Sequence, residues 1–166
     1  MKFRALLSAL LLVAGLVFVA AGSEPAAQPT DSPSEVLKKS FAALQKQDFL
    51  AMADLSYGEQ RTECLRVVEE LNRLKKAAES GDEKAKNELV LAQQMLNDVK
   101  VGMSKVKVEI KEEKIEGDLA EVDAAVSGTS DKKVEVKKAY LKKINGKWKI
   151  ISLKDFEAEK AKTVKK

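Results

Sequence analysis

Residues 105–152 read KVKVEIKEEKIEGDLAEVDAAVSGTSDKKVEVKKAYLKKINGKWKIIS, and apolar residues recur in this stretch at every second position. Val106, Val108 and Ile110 alternate with Lys105, Lys107, Glu109 and Lys111, the pattern of a half-buried strand. Glu116-Gly117-Asp118 then forms a turn. Beyond it, Ala120, Val122, Ala124 and Val126 make the inward row of a second strand, with Glu121 and Asp123 facing outward. Ser127 to Asp131 is the next turn. A third strand begins with Val134 and Val136 inward, but Ala139 and Leu141 occupy the opposite parity. A β-bulge near Lys137-Lys138 would reconcile the two halves. Asn145-Gly146 is the strongest hairpin signal in the chain. It leads into a last strand carrying Trp148, Ile150 and Ser152. Four strands joined by short turns predict an antiparallel meander.

Upstream, the period lengthens to that of a helix. Ser32, Pro33 and Glu35 form a capping box with proline in the first turn. Val36, Leu37, Phe41 and Leu44 then line one helical face. Gln45-Lys46-Gln47-Asp48 is a polar interruption, and Phe49, Met52, Ala53 and Leu55 continue as a second, short helix that Ser56-Tyr57-Gly58 stops. Residues 59–79 read as a longer helix with Cys64, Val67, Val68, Leu71, Leu74 and Ala78 on one face. Glu79-Ser80-Gly81-Asp82 breaks it, with Asp82 as the next N-cap. From 83 to about 102, Ala85, Leu89, Ala92, Leu96 and Val99 repeat by fours and threes, so the two segments form an antiparallel helical hairpin. Helices first and a meander afterwards predict an α+β domain over residues 33–153: N-terminal helices packed on a curved, cone-shaped four-stranded sheet, with the hairpin as an extension. Residues 154–166 are charged, with Phe156 and Val164 the only apolar residues beyond alanine, and read as a frayed helix or mobile tail.

The first 22 residues have another character. Lys2 and Arg4 precede an uncharged run from Ala5 to Gly22 that ends in Ala20, Ala21 and Gly22. A positive start, an apolar middle and a small-residue exit make a signal peptide, with cleavage expected after Gly22. The competing reading is an uncleaved anchor formed by residues 5–22, near the lower length limit for spanning a bilayer. Ser23 stands where a lipoprotein would need cysteine, which argues against a lipid anchor. Residues 23–32 form a Pro-rich linker. The expected location is periplasmic or secreted, with contact to a membrane only if the N-terminal segment stays in place.

Composition closes off several chemistries. The chain has 166 residues, no His and a single Cys. Imidazole acid–base catalysis, Ser–His and Cys–His pairs, His-based zinc sites and an internal disulfide are therefore all excluded. No Gly-rich phosphate loop occurs, and no cofactor or metal is expected. Removing residues 1–22 takes away Lys2 and Arg4 and no acid, which lowers the formal net charge from +4 to about +2. Both signs are interleaved, unlike the one-signed stripe of a nucleic-acid footprint, so nucleic acid is not an expected partner. Cys64 lies on an apolar helix face, where a free thiol acts as a small hydrophobe; a reactive thiol or an intermolecular disulfide is the competing reading.

Two motifs carry a family resemblance. Phe41-Ala42-Ala43-Leu44-Gln45-Lys46-Gln47-Asp48-Phe49 resembles the opening of the nuclear transport factor two-like superfamily, and Asn145-Gly146-Lys147-Trp148-Lys149-Ile150 resembles its terminal hairpin. The likeness covers about residues 33–153. It is nearest to the small exported bacterial branch of unknown function, also described as lumazine-binding-like. It implies a cystatin-like cone with a pocket at its open end. Enzymatic relatives place an acid or a His–Asp pair in that pocket. Here there is no His, and Glu121 and Asp123 fall on the parity opposite the apolar row.

Phe49, Tyr57, Tyr140 and Trp148 are the candidate pocket-lining residues, with core filling as the competing reading. The expected function is a non-enzymatic exported module that binds a small apolar or amphipathic molecule or an envelope protein. The alternatives are a structural envelope protein that dimerises without a ligand, and a small lyase- or isomerase-type enzyme. A homodimer is among the expected assemblies. Mass spectrometry of the exported protein is expected to find Ser23 as the mature N-terminus; a chain beginning at Met1 would contradict the cleavage reading.

Overall fold

The computed structural model describes residues 31–128 and 134–163; the signal peptide and nearly all of the linker read from the sequence lie outside them. The capping box is formed. Ser32 Oγ accepts a hydrogen bond from the Glu35 amide at 3.2 Å, and the Ser32 amide donates to Glu35 Oε2 at 2.8 Å. Helix α1 spans Pro33–Gln45 and turns Val36, Leu37, Phe41 and Leu44 inward. Gln47 ends the polar interruption in a left-handed conformation, φ 59°. Asp48 then caps helix α2, Phe49–Leu55, through the Ala51 amide at 2.9 Å. Helices α3, Gly58–Glu79, and α4, Glu83–Met103, form the expected hairpin, with Asp82 capping the second at the Ala85 amide. No helix among the described residues is long and apolar enough to cross a membrane.

The sheet is four-stranded and antiparallel in the order β1-β2-β3-β4: Lys107–Glu116, Leu119–Ser127, Glu135–Ile144 and Lys147–Ile151. Asn145 and Gly146 both adopt positive φ, 51° and 77°, as a two-residue hairpin turn requires. Helix α1 lies across the inner face and meets β1, β2 and β4, while α2 and α3 meet β4. The main core joins α1, α2, the near halves of α3 and α4, and the inner rows of all four strands. Val67, Val122, Ala124 and Leu141 have no exposed surface there. A second small cluster, Leu74, Ala85 and Ala92, holds the far end of the hairpin together.

Two expectations are corrected. The β2–β3 register runs unbroken from Leu119↔Lys142 to Val126↔Glu135, so there is no bulge at Lys137-Lys138. The irregularity lies in β1, between Ile110 and Glu112, where Lys111 is the extra residue. Unbroken pairing puts Ala139 and Leu141 inward, opposite Val122 and Ala120. It sends Val134 and Val136 to the outer face, where they are 64% and 65% exposed. Glu135 and Lys137 take the inner parity instead and pair with each other at 3.2 Å. Both are exposed, so the helical layer does not reach this end of β3.

The chain beyond β4 is a helix, α5, Leu153–Thr163. Ser152 Oγ accepts the Asp155 amide at 3.1 Å and starts it. Phe156 docks on the outer face against Leu119, Tyr140 and Ile151, with the Tyr140 and Phe156 ring centroids 4.8 Å apart. Lys142–Glu159 at 2.8 Å and Lys160–Glu116 at 3.4 Å tie the helix to the strands. Phe156 is 5% exposed. Its replacement by Ala is expected to cost about 3 kcal/mol, read as a lower urea midpoint, because a large side chain leaves a cavity that its neighbours fill only in part. An unchanged midpoint would mean that α5 adds nothing to the fold.

Candidate functional site

The four aromatic residues singled out from the sequence do not converge on one pocket. Phe49 opens α2 and Trp148 stands on β4; both are buried within the main core. Lys143 Nζ lies 5.8 Å from the Trp148 ring. Tyr140 is on the other side of the sheet, packed on Phe156. Tyr57 is 49% exposed. Its contribution is made by the backbone: the Tyr57 amide donates to the Ile150 carbonyl at 2.8 Å, and Ser56 bridges to Ile150 in parallel, which occupies the edge of β4. Sequence parity separates Tyr140 from Trp148 only once the β3–β4 register is known, in which Tyr140 pairs with Ile151 and Trp148 with Lys143.

The outer face carries a charge cluster. Lys138 Nζ lies 2.9 Å from Glu121 Oε2 and 3.1 Å from Asp123 Oδ1, and Lys160 lies 3.6 Å from Glu121 Oε1. The register explains the grouping, because Asp123 stands directly opposite Lys138 and Glu121 is two residues along on the same face. The hydrogen bond from Lys138 holds the Glu121 carboxyl below its ordinary range and raises the Lys138 ammonium above its own. Glu159 is pushed down by Lys142 and Lys162 in the same way. No described Asp or Glu is fully buried. Among the described residues no group of three or more Cys, Asp or Glu is placed to hold a metal ion. Burial pushes the Cys64 thiol up to about 11, so it stays protonated and unreactive near neutrality.

Beside the charge cluster, the outer face has a bare apolar end. Helix α5 covers Leu119, Tyr140 and Ile151 but leaves Val134 and Val136 exposed, near the buried Ala125. A groove of about 270 Å³ lies there, lined by Lys107, Val108, Glu109, Ala125, Ser127 and Val134. A Cβ on Gly128, at φ +91°, would overlap the Lys105 carbonyl, so the chain leaving β2 packs directly on the exit from α4. The sequence reading missed this site because it assigned Val134 and Val136 to the interior. The available signal was the opposite parity of Ala139 and Leu141, which is correct when the strand is read without a bulge.

No family model matches the sequence, and no curated protein matches it. Among solved structures the chain is similar to a SEC-C motif containing protein from Rhodopseudomonas palustris, at 12% identity and a TM-score of 0.43, over 73% of this chain and 76% of that one. It is also similar to a protein provisionally named an NTF2-like transpeptidase from Campylobacter jejuni, at 13% identity and a TM-score of 0.41, over 74% of this chain and 99% of that one.

The Glu121–Lys138 pair has a definite pH signature. A carboxyl with a depressed folded-state pKa adds stability above its unfolded value, about 4.3, and loses it as pH falls through the folded value. Lys138→Met is therefore expected to lower the urea midpoint at neutral pH and to match the parent at a pH below the folded value of Glu121. An equal loss at both pH values would show that Lys138 acts through packing rather than charge.

Proposed function

We propose that this protein is a non-enzymatic, exported module of the cell envelope that docks an apolar or amphipathic partner on the outer face of its sheet. The observation that carries this reading is the exposure of Val134 and Val136 beside the groove at Ala125 and Ser127. Apolar side chains clustered on an otherwise charged face are a mark of an interaction surface. The volume of the groove suits an apolar side chain or a small amphipathic molecule better than a drug-sized ligand, whose pockets run from about 300 Å³ upward. The distribution of Phe49, Tyr57, Tyr140 and Trp148 argues against an internal pocket as the binding place.

The non-enzymatic part of the reading is supported by the state of the ionisable groups. A general acid needs a carboxyl raised toward the working pH, and a thiol nucleophile needs a lowered pKa. Glu121 and Glu159 are displaced downward and Cys64 upward, each opposite to what its chemistry would require. Export rests on the residue 1–22 pattern, and the envelope setting follows from it.

Titration with anilinonaphthalene sulfonate, a small amphipathic fluorescent probe, tests the surface directly. The folded protein is expected to bind it at a saturable site, and Val134→Asp with Val136→Asp to abolish that binding while leaving the circular dichroism spectrum intact. Absence of saturable binding, or binding indifferent to the double substitution, would overturn the reading.

A further inference from the structure

Strand β1 is an edge strand: β2 pairs with one side of it, and from Lys111 to Glu116 every residue is exposed. Its sequence, Lys107-Val-Glu-Ile-Lys-Glu-Glu-Lys-Ile-Glu116, has a hidden symmetry. Laid antiparallel against a second copy of itself, with the two-fold axis between Lys111 and Glu112, it sets Lys107 against Glu116, Glu109 against Lys114 and Lys111 against Glu112. Val108 then meets Ile115, and Ile110 meets Glu113. Each of these contacts occurs twice in the pair, and every charge-on-charge contact is between opposite signs.

The bulge makes this arrangement consistent with the sheet. The β1–β2 register places Val108 opposite Val126, Ile110 opposite Ala124, Glu113 opposite Val122 and Ile115 opposite Ala120. These four residues of β1 therefore share the inner face, although their spacing slips by one at Lys111. Lys107, Glu109, Lys114 and Glu116 share the outer face. An unbulged strand would switch faces across the two-fold axis. With Lys111 as the extra residue beside the axis, inner residues meet inner residues and outer meet outer. Residues that share a face also turn their backbone N–H and C=O groups to the same edge, so an antiparallel ladder can form in this register.

Neighbouring registers fail. A slip of two residues one way sets Lys107 against Lys114 and Glu109 against Glu112. The other way, it sets Glu109 against Glu116 and Lys111 against Lys114. Like charges directly opposite each other are destabilising. Charges on an exposed edge ordinarily keep strands apart; this set excludes most partners and most registers while leaving one self-pairing open. Within one copy the partners of these charges are exposed: Lys111–Glu109 at 2.7 Å, Lys114–Glu112 at 3.3 Å and Glu116–Lys160 of α5 at 3.4 Å, pairs that are worth little and easily exchanged. Ile115 is 52% exposed and would gain Val108 of the second copy as a neighbour.

We infer that two copies of this chain pair antiparallel through the β1 edges about an axis between Lys111 and Glu112, so that one sheet runs through both. This assembly goes beyond the docking surface proposed above and does not depend on it. Sedimentation equilibrium of the purified full chain tests it, with two charge-reversed variants. One carries Lys107→Glu and Lys114→Glu; the other carries Glu109→Lys and Glu116→Lys. The parent is expected to be a dimer whose dissociation constant rises with salt. Each variant alone is expected to dissociate with a constant at least about tenfold higher, because every reversed pair becomes repulsive. An equimolar mixture of the two is expected to restore a dimer containing one of each, since all the altered pairs are then opposite in sign. A parent that stays monomeric at high concentration, a dimer unmoved by either reversal, or a mixture no tighter than its components would overturn the inference. Probe binding at Val134 and Val136 is a separate measurement, so failure of one proposal leaves the other to be decided on its own result.

Discussion

Everything in this fold depends on the contact between the inner row of β2 and the apolar face of α1. Ala120, Val122, Ala124 and Val126 are small or β-branched, and all are at most 4% exposed. Small side chains let a helix lie close to the strand, and the larger residues come from the helix side, as Val36, Leu37, Phe41 and Leu44. Such interlocking of large and small residues fills a core at native density without forcing rotamers. Because β2 pairs with both β1 and β3, its row also dictates which residues of those strands face inward. The parity of Ala139 and Leu141 in β3, and the bulge that keeps Glu113 and Ile115 in line with Val122 and Ala120, both follow from it.

The connections serve the same contact. Gln45, the last residue of α1, and Gln47, in the turn after it, donate from their side chains to the carbonyls of Met103 and Leu96 in the C-terminal half of α4. That polar segment therefore couples the helical hairpin to the layer on the sheet, although it contributes almost nothing to the apolar core. Lys149 Nζ likewise donates to the Asp54 carbonyl at the end of α2, beside the Ser56 bridge to Ile150. The bonds to Met103 and Asp54 satisfy carbonyls that a helix end leaves open. The hairpin is thus anchored at its base and holds itself together at its tip through Leu74, Ala85 and Ala92.

The parts of the structure written in local chemistry were legible: the capping box at Ser32, the Asp82 cap, the Asn145-Gly146 turn and the change of period near residue 105. Each depends on residues within a few positions of one another. The parts that needed tertiary knowledge were not legible. Val134 and Val136 look like core residues, and only the unbroken β2–β3 register, which sets Ala139 and Leu141 inward, decides that they face outward. The bulge at Lys111 is masked because it falls at the start of a charged run, Lys111 to Lys114, so a slip of one position leaves no gap in an apolar pattern. The docking of α5 rests on one aromatic, Phe156, whose partners come from three separate strands. Of the four candidate aromatics, Tyr57 was misleading for a different reason, since its backbone rather than its ring is what the fold uses.

The two faces of the sheet are covered unequally, and this inequality shapes what the molecule can do. Three helices cover the inner face, with α4 packed on α3, whereas a single short helix covers part of the outer one. Where α5 ends, the outer face keeps its charges in pairs: Lys138 is shared between Glu121 and Asp123, and Lys160 reaches Glu121 from the helix. A uniformly charged face would have been the simplest way to keep this surface solvated, and lysine or glutamate fits an exposed strand position as readily as valine. Val134 and Val136 add no core packing and carry an aggregation risk on a half-bare sheet. The fold gains nothing from them, so the reason for apolar residues at these two positions has to lie outside the chain, in whatever meets that face.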